Sequence, residues 1–149
     1  MNEEETQKWA MWCHLSALVW IPPALIGITI PFINLVGPFI FWWLKKDDSE
    51  LVNFEGKESL NFQVSMSLYS IGGLIIFGIL GLISLLVVSR LGGLETDQKP
   101  ELLPGGLERW QKGAMIVFGL IQLVLVIVAA VKARKCEPYR YPLTIRFLK

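Results

Sequence analysis

The chain has 149 residues, of which 53% are hydrophobic and 18% are charged, and its formal net charge is +1. The length predicts a single domain. A balance so close to neutral gives no electrostatic basis for binding nucleic acid. The hydrophobic content favours an integral membrane protein over a soluble one.

The first third of the chain predicts a broken helical hairpin. Residues 1–8 form a short polar tail, which we expect to be loose or to lie on the surface. The stretch from Trp9 to Leu44 then contains no Asp, Glu, Lys or Arg. Prolines interrupt it, and proline ends or kinks helices. We therefore predict helices over about residues 9–28 and 32–44, joined by a tight turn near Thr29–Asn34.

The second arm of this hairpin is short for a membrane crossing. A re-entrant hairpin, which enters the bilayer and returns to the same side, is therefore the alternative to two crossings. The tryptophans Trp42 and Trp43 are followed by Lys45 and Lys46. Indole rings favour the headgroup level and lysines extend into water, so this end is predicted to lie at a membrane interface.

Two further stretches predict membrane-spanning helices. Val64–Val88 is uncharged over 25 residues, which corresponds to roughly 37 Å of helix against a hydrocarbon core of about 30 Å. We place this helix at about residues 58–89. Gly113–Val131 is also uncharged and predicts a helix over about residues 110–133. Between them, Arg90–Lys112 reads as a polar loop.

The sequence thus predicts an all-α integral membrane protein. Residues 1–149 would form a single membrane domain, a four-helix transmembrane bundle with a proline-broken first hairpin. Ten Lys and Arg residues would lie on the side that holds both termini, and four on the other. The positive-inside rule then predicts cytoplasmic termini and a tail, residues 134–149, on that side. We expect the tail to return to the membrane surface with Tyr139, Tyr141 and Phe147 at headgroup depth.

Polar residues within apolar helices are the candidate interaction positions. His14 is the only histidine, and we expect a neutral imidazole bonded to a backbone carbonyl or water. If a side chain is its partner, Glu58, Asn61 and Gln63 are the candidates, because they lie at the same depth. The amide of Gln122 should face another helix. The candidate positions are therefore His14, Glu58, Asn61, Gln63, Gln122 and Tyr141.

No catalytic motif is present: the chain has no P-loop, dinucleotide-binding fingerprint, nucleophile elbow or HExxH sequence. Its two cysteines and one histidine cannot complete a zinc set. The sequence therefore predicts no enzyme activity, no cofactor and no metal.

Several motifs together resemble the DUF4870 family of small membrane proteins, which is similar to Tic20 of the chloroplast import machinery. The matching segments are residues 14–17, 37–46, 56–63, 130–133 and 139–147. The resemblance implies a four-helix membrane domain and no established activity. A role like that of Tic20 would be an analogy at the level of fold.

These observations predict a non-enzymatic membrane protein, a subunit or assembly factor of a complex for protein translocation or membrane-protein biogenesis. Its partners would be the lipid bilayer and other membrane proteins or further copies of itself, not nucleic acid. The location would be a bacterial inner membrane, or a thylakoid membrane in a cyanobacterium. The alternative is a small oligomeric channel or transporter lined by His14, Asn61 and Gln122.

Overall fold

A computed structural model describes residues 1–26, 28, 30, 32–90 and 104–149, and within these ranges the chain is helical without a β-strand. The predicted all-α class is therefore confirmed for the described residues. The elements in chain order are α1 Glu3–Leu15, a 3₁₀ turn Ser16–Trp20, α2 Ile21–Leu25, α3 Ile33–Lys45, α4 Glu50–Arg90 and α5 Pro104–Arg134. They form two compact units: Met1–Ser67 with Gln122–Lys149, and Leu68–Ile121.

The N-terminal residues form a helix, so the first alternative, a loose tail, was wrong; most of residues 1–8 are exposed, in agreement with the second alternative, a tail on the surface. Asn2 and Glu5 make a capping box: the backbone N–H of Glu5 donates to Asn2 Oδ1 over 2.8 Å, and the N–H of Asn2 donates to Glu5 Oε2 over 3.1 Å. This exchange satisfies two amides that a helix start otherwise leaves without acceptors. The acidic first turn also complements the helix dipole.

The predicted crossing at residues 9–28 is divided among α1, the 3₁₀ turn and the five-residue α2. Pro22 and Pro23 lie in the first turn of α2, where the missing amide hydrogen costs nothing but an incoming helix cannot continue unbroken. The helix α3 has 13 residues, or roughly 20 Å, against a hydrocarbon core of about 30 Å. The prediction of a four-helix transmembrane bundle was therefore wrong.

Two helices in the described part of the chain are long and apolar enough to cross a membrane. They are α4 and the Gly106–Arg134 part of α5. In the most apolar 18-residue window of α4, no residue is buried. In the corresponding window of α5, 22% of the residues are buried. In the second unit, Leu107 lies against Gly81, where an added Cβ would be 3.6 Å from Leu107 Cδ2. The other side chains of this part of α4 are largely exposed and apolar, as a lipid-facing helix requires.

In the first unit, α1 and the 3₁₀ turn pack antiparallel to α3. Ser16 lies against Gly37, while Trp9 and Trp12 lie against Phe41, with ring centroids 5.5 Å and 6.0 Å away. Ser16, late in the first arm, meets Gly37, early in α3, whereas the earlier Trp9 meets the later Phe41. The chain therefore reverses direction between the two arms. The backbone reaches α3 through Phe32, whose φ of 60° is left-handed.

The start of α4 packs on α1 and α3 through small residues and aromatic rings. The core cluster there contains Ala10, Cys13, Val52 and Ala133, all with no exposed surface. The indole of Trp42 donates to Asn53 Oδ1 over 3.0 Å and lies across Gly56. The helix α4 begins at Glu50, earlier than the sequence predicts, so its first two turns belong to this packing. Residues 91–103 of the predicted polar loop, and part of the predicted turn at 29–34, lie outside the described residues.

The contact between Gly56 and Trp42 predicts the effect of adding one methyl group. A Cβ at residue 56 would lie 2.5 Å from Trp42 Cδ1. We expect Gly56→Ala to lower the free energy of unfolding by roughly 1–3 kcal/mol, because overpacking forces side chains off their rotamers. Thermal unfolding in detergent, followed by circular dichroism, measures this. Gly73→Ala is the control: nothing lies within 4 Å of that position, so the better helix propensity of alanine should leave stability unchanged or raised. Equal losses in both variants would contradict the prediction.

A buried polar site under the C-terminal segment

The first half of α4 carries polar side chains that are buried inside the first unit. Their exposed fractions are 5% or less, and they are Glu55, Glu58, Ser59, Asn61, Gln63 and Ser65. A buried polar group costs free energy unless it is hydrogen-bonded. The bonds that satisfy this row come from α1, α3, α5 and the segment after α5, residues 135–149, which we call the C-terminal segment.

At the centre of this row, one histidine joins a carboxylate to a phenol. His14 Nε2 lies 2.9 Å from Glu55 Oε2, and His14 Nδ1 lies 3.0 Å from the hydroxyl of Tyr141. His14 and Glu55 have no exposed side-chain surface, and Tyr141 is 3% exposed. The Tyr141 ring stacks on Phe62, with centroids 4.0 Å apart and planes inclined by 10°. Residues distant in sequence are thereby fixed in one array.

The partners of these atoms assign the protons. The backbone N–H of Tyr139 donates to Glu55 Oε1 over 3.1 Å, so the carboxylate accepts at one oxygen there and at the other from His14 Nε2–H. His14 Nδ1 then accepts from the Tyr141 hydroxyl. Burial raises the pKa of Tyr141 well above its usual 10.0, and the nearby Glu55 adds to the rise, so the phenol keeps the proton that it donates. This arrangement satisfies every polar atom of the array.

Asn61 binds the end of the C-terminal segment through its backbone. Asn61 Oδ1 accepts from the N–H groups of Phe147 and Leu148 over 3.0 Å and 2.8 Å, and Asn61 Nδ2 donates to the Leu148 carbonyl over 2.9 Å. One turn further along α4, Ser65 Oγ accepts from the N–H of Ile145 over 2.9 Å. These side chains do for an extended segment what a neighbouring β-strand would do.

Charged groups add two contacts between α4 and the same segment. Arg146 Nε donates to Glu58 Oε1 over 3.1 Å, and Lys57 Nζ donates to the carbonyl of Lys149 over 2.9 Å. The side chain of Glu58 is 6% exposed while that of Arg146 is 43% exposed. In the described part of the chain, Glu58 Oε2 has no hydrogen-bond partner. Arg146 therefore approaches the nearly buried carboxylate of Glu58 from the solvent side and offsets its charge.

A second group of amides lies further along α4. Gln63 Oε1 accepts from Asn34 Nδ2 over 2.9 Å and from Gln122 Nε2 over 2.7 Å. Asn34 also donates to Ser67 Oγ over 3.4 Å. Two donors meeting one atom fix which end of the Gln63 amide is oxygen. These bonds connect α3, α4 and α5 at the depth where the apolar part of α4 begins.

The structure brings the six candidate positions into these two groups. His14 and Tyr141 meet in the central array, Glu58 and Asn61 hold the C-terminal segment, and Gln63 and Gln122 bond to each other. The side-chain partners suggested for His14 were wrong, as was the expectation of a backbone carbonyl or water, because Glu55 and Tyr141 occupy both ring nitrogens. Tyr141 is buried in the protein, and its placement at headgroup depth stays a prediction.

Sequence reasoning missed Glu55. The sequence predicts this helix over about residues 58–89, so Glu55 lay outside it. Its spacing of three from Glu58 places both on one face of a helix that starts earlier, which is the signal that could have identified it. The carboxylate, imidazole and phenol resemble a proton relay in their order, but they are closed to solvent. Their evident effect is to fix the C-terminal segment on α4.

Comparison with known proteins identifies a family. The model of the MamF/MmsF family, described as a magnetosome magnetite crystal formation protein family, matches residues 5–148. The match corrects the resemblance to DUF4870 and Tic20, and gives no support to a thylakoid location or a role in protein transport. No curated protein and no solved structure matches the chain.

Removing one hydroxyl tests the central array. Tyr141→Phe keeps the stack on Phe62 but removes the donor to His14 Nδ1. We expect the free energy of unfolding to fall by about 1–3 kcal/mol, the cost of leaving a buried polar atom without its partner. Thermal unfolding in detergent measures stability, and proteolysis at the C-terminus measures release of the segment. The control is Tyr139→Phe, since none of the described hydrogen bonds involves the Tyr139 hydroxyl; a loss as large there would contradict the assignment.

The raised pKa of Tyr141 predicts alkaline destabilisation. Because this pKa is higher in the folded than in the unfolded protein, its contribution to stability is complete below pH 10.0 and is lost as pH rises through the folded value. The melting temperature should therefore fall with pH in the alkaline range, and fall less steeply in Tyr141→Phe. Absorbance of tyrosinate at each pH follows the titration. An unchanged slope in Tyr141→Phe would contradict the prediction.

Proposed function

The chain belongs to the MamF/MmsF family, and from this membership we propose that it is a non-enzymatic membrane component of an assembly that takes part in magnetite crystal formation. The observation that carries the proposal is the family match, which covers residues 5–148. The match extends over both apolar helices and the buried polar site. The proposal therefore concerns the described chain as a whole and not one part of it.

Exposed apolar surface supports membrane residence. Leu74, Ile75, Ile76 and Leu82 in α4 are 56% to 63% exposed, and so are Met115, Ile116 and Val117 in α5, at 58% to 64%. Such a surface is unfavourable in water at about 25 cal/mol for each Å². Lipid chains, or apolar faces of other membrane proteins, would remove it from water. The partners in this proposal are accordingly the magnetosome bilayer and proteins within it, including further copies of the chain.

The buried polar site supports a non-enzymatic role. His14 and Glu55 are fully enclosed and bonded to the C-terminal segment, so a substrate would have to displace that segment to reach them. Gln63 and Gln122 likewise bond to each other. Because these groups have protein partners, we do not extend the proposal to a channel or carrier.

Basic residues support an orientation in which both termini are cytoplasmic. Ten of the 14 Lys and Arg residues lie before the uncharged stretch of α4 begins at Val64 or after that of α5 ends at Val131. The other four lie between the two stretches: Arg90, Lys99, Arg109 and Lys112. The segment between residues 9 and 44 has none, so this count is the same whether that segment crosses the membrane or not. The excess marks the cytoplasmic side under the positive-inside rule.

Removal of the gene from a magnetite-forming host tests the proposal. We expect crystals of altered size or shape by electron microscopy, with a tagged chain recovered in the magnetosome membrane fraction and crosslinked into larger species. Tyr141→Phe separates a structural from a catalytic role. It should restore crystals in proportion to its abundance, because the shape of the site is kept. Normal crystals without the gene, or loss of crystals with Tyr141→Phe at full abundance, would overturn the proposal.

A further inference from the structure

Among its described residues, the segment from Ile21 to Leu44 carries many exposed apolar side chains. At its tip, Leu25 is 81% exposed and Ile26 is 74% exposed. Along α3, one stripe with helical spacing is about half exposed: Phe32, Val36, Phe39, Ile40 and Trp43. The patch is unlike the scattered apolar residues of a soluble surface, and contiguous patches of this kind mark contact surfaces.

From this surface we propose that residues 21–44 form a wedge that enters one leaflet of the bilayer and returns to the same side. The occupant of the apolar stripe is the acyl layer of the phospholipids. The proposal rests on the membrane residence proposed above, and adds a lipid-binding element that does not cross.

The length of the returning arm favours return over crossing. Contacts of Ser16 with Gly37 and of Trp9 and Trp12 with Phe41 make the arms antiparallel. The chain therefore leaves and re-enters the first unit at one end. With 13 residues in α3, the returning arm is roughly 20 Å long and cannot span a hydrocarbon core of about 30 Å.

The charged residues of the hairpin lie at the open end of its two arms, opposite the tip. No charged residue occurs from Trp9 to Leu44, while Lys8, Lys45 and Lys46 lie at the open end of the arms. Lys46 Nζ is 4.4 Å from the centroid of the Trp43 ring, and Lys45 Nζ is 5.7 Å from that of Trp9. Lys8 and Lys45 are paired with Glu4 and Asp48, and Lys46 beside its indole suits a phosphate headgroup at the rim of the leaflet, complementing the acyl chains around the tip.

Several polar groups in the described part of the hairpin are bonded within the protein, as a lipid environment demands, although Ser16 Oγ and Trp20 Nε1 have no hydrogen-bond partner among the described residues. The side chain of Asn34 turns to Gln63 and Ser67. In the turn, the N–H of Ile28 donates to the Pro23 carbonyl over 2.9 Å, and the N–H of Leu35 donates to the Phe32 carbonyl over 3.0 Å. Pro22 and Pro23 contribute no N–H that would need an acceptor.

Cysteine labelling in proteoliposomes tests the wedge. The full chain carries Cys13→Ala and Cys136→Ser, which remove its two free thiols, and one new cysteine at Ile26 or, as a second tip position, Leu25. Asp47→Cys reports the open end of the hairpin, and Glu108→Cys reports the start of α5. A membrane-impermeant maleimide is applied outside intact vesicles and then to both faces of opened vesicles.

The wedge predicts that both tip cysteines are protected from maleimide on both faces, with labelling restored by detergent. A spin label at Ile26→Cys should be relaxed by oxygen but not by a water-soluble nickel complex. Three results would overturn the wedge. Labelling of a tip cysteine from the face that labels Glu108→Cys would mean that the hairpin crosses, and labelling of a tip cysteine as fast as Asp47→Cys would mean that the hairpin lies in water. Protection of the spin label from both relaxants would mean that the tip is buried in protein.

The two reporter positions separate this proposal from the membrane residence on which it rests. If Asp47→Cys and Glu108→Cys label from opposite faces, α4 crosses the bilayer, and any exposure of the tip then counts against the wedge alone. If both label from one face of intact vesicles, α4 does not cross the bilayer, and the membrane residence proposed for the long apolar helices fails.

Discussion

The first half of α4 imposes the constraint on which this structure depends. A row of carboxylate, amide and hydroxyl groups is buried there, and burial without a hydrogen bond costs free energy. Among the described residues, each member of the row has a partner in the protein, although one atom each of Glu58 and Gln63 (Oε2 and Nε2) has none. The partners come from four other parts of the chain: α1 supplies His14, α3 supplies Asn34, α5 supplies Gln122, and the C-terminal segment supplies Tyr141 and its backbone. Satisfying this row thus brings these parts of the first unit together.

The remainder of α4 follows the opposite rule. From Leu68 onward its residues belong to the second unit, where side chains are apolar and largely exposed. One continuous helix therefore carries a polar half that needs protein partners and an apolar half that needs lipid or apolar protein. This division agrees with the proposed role. Hydrogen bonds between specific side chains hold the first unit together, and in the proposal the apolar helices attach the chain to the membrane and offer a surface to other membrane proteins. A family connected with crystal formation at a membrane is compatible with such a plan.

The C-terminal segment is held on α4 by hydrogen bonds that fix its position residue by residue. Its backbone is held by Asn61, Ser65 and Glu55, all on α4, and the Tyr141 ring fills the space beside Phe62. Hydrogen bonds to side chains replace the regular ladder that an extended segment would have in a sheet, so the position of each donor and acceptor matters.

The sequence by itself determined the helical class and the two long apolar helices, because periodicity and the absence of charge over more than 18 residues are local properties. It also singled out His14, Asn61, Gln63 and Gln122, since polar groups in apolar stretches need an explanation. Only the tertiary structure decided what they bind. Glu55 and His14 are 41 residues apart, and Tyr141 is 127 residues from His14, and no local pattern encodes such a pairing. The uncharged stretch after Trp9 misled the count of crossings for the same reason: composition records which residues avoid water, whereas packing decides whether they meet protein or lipid.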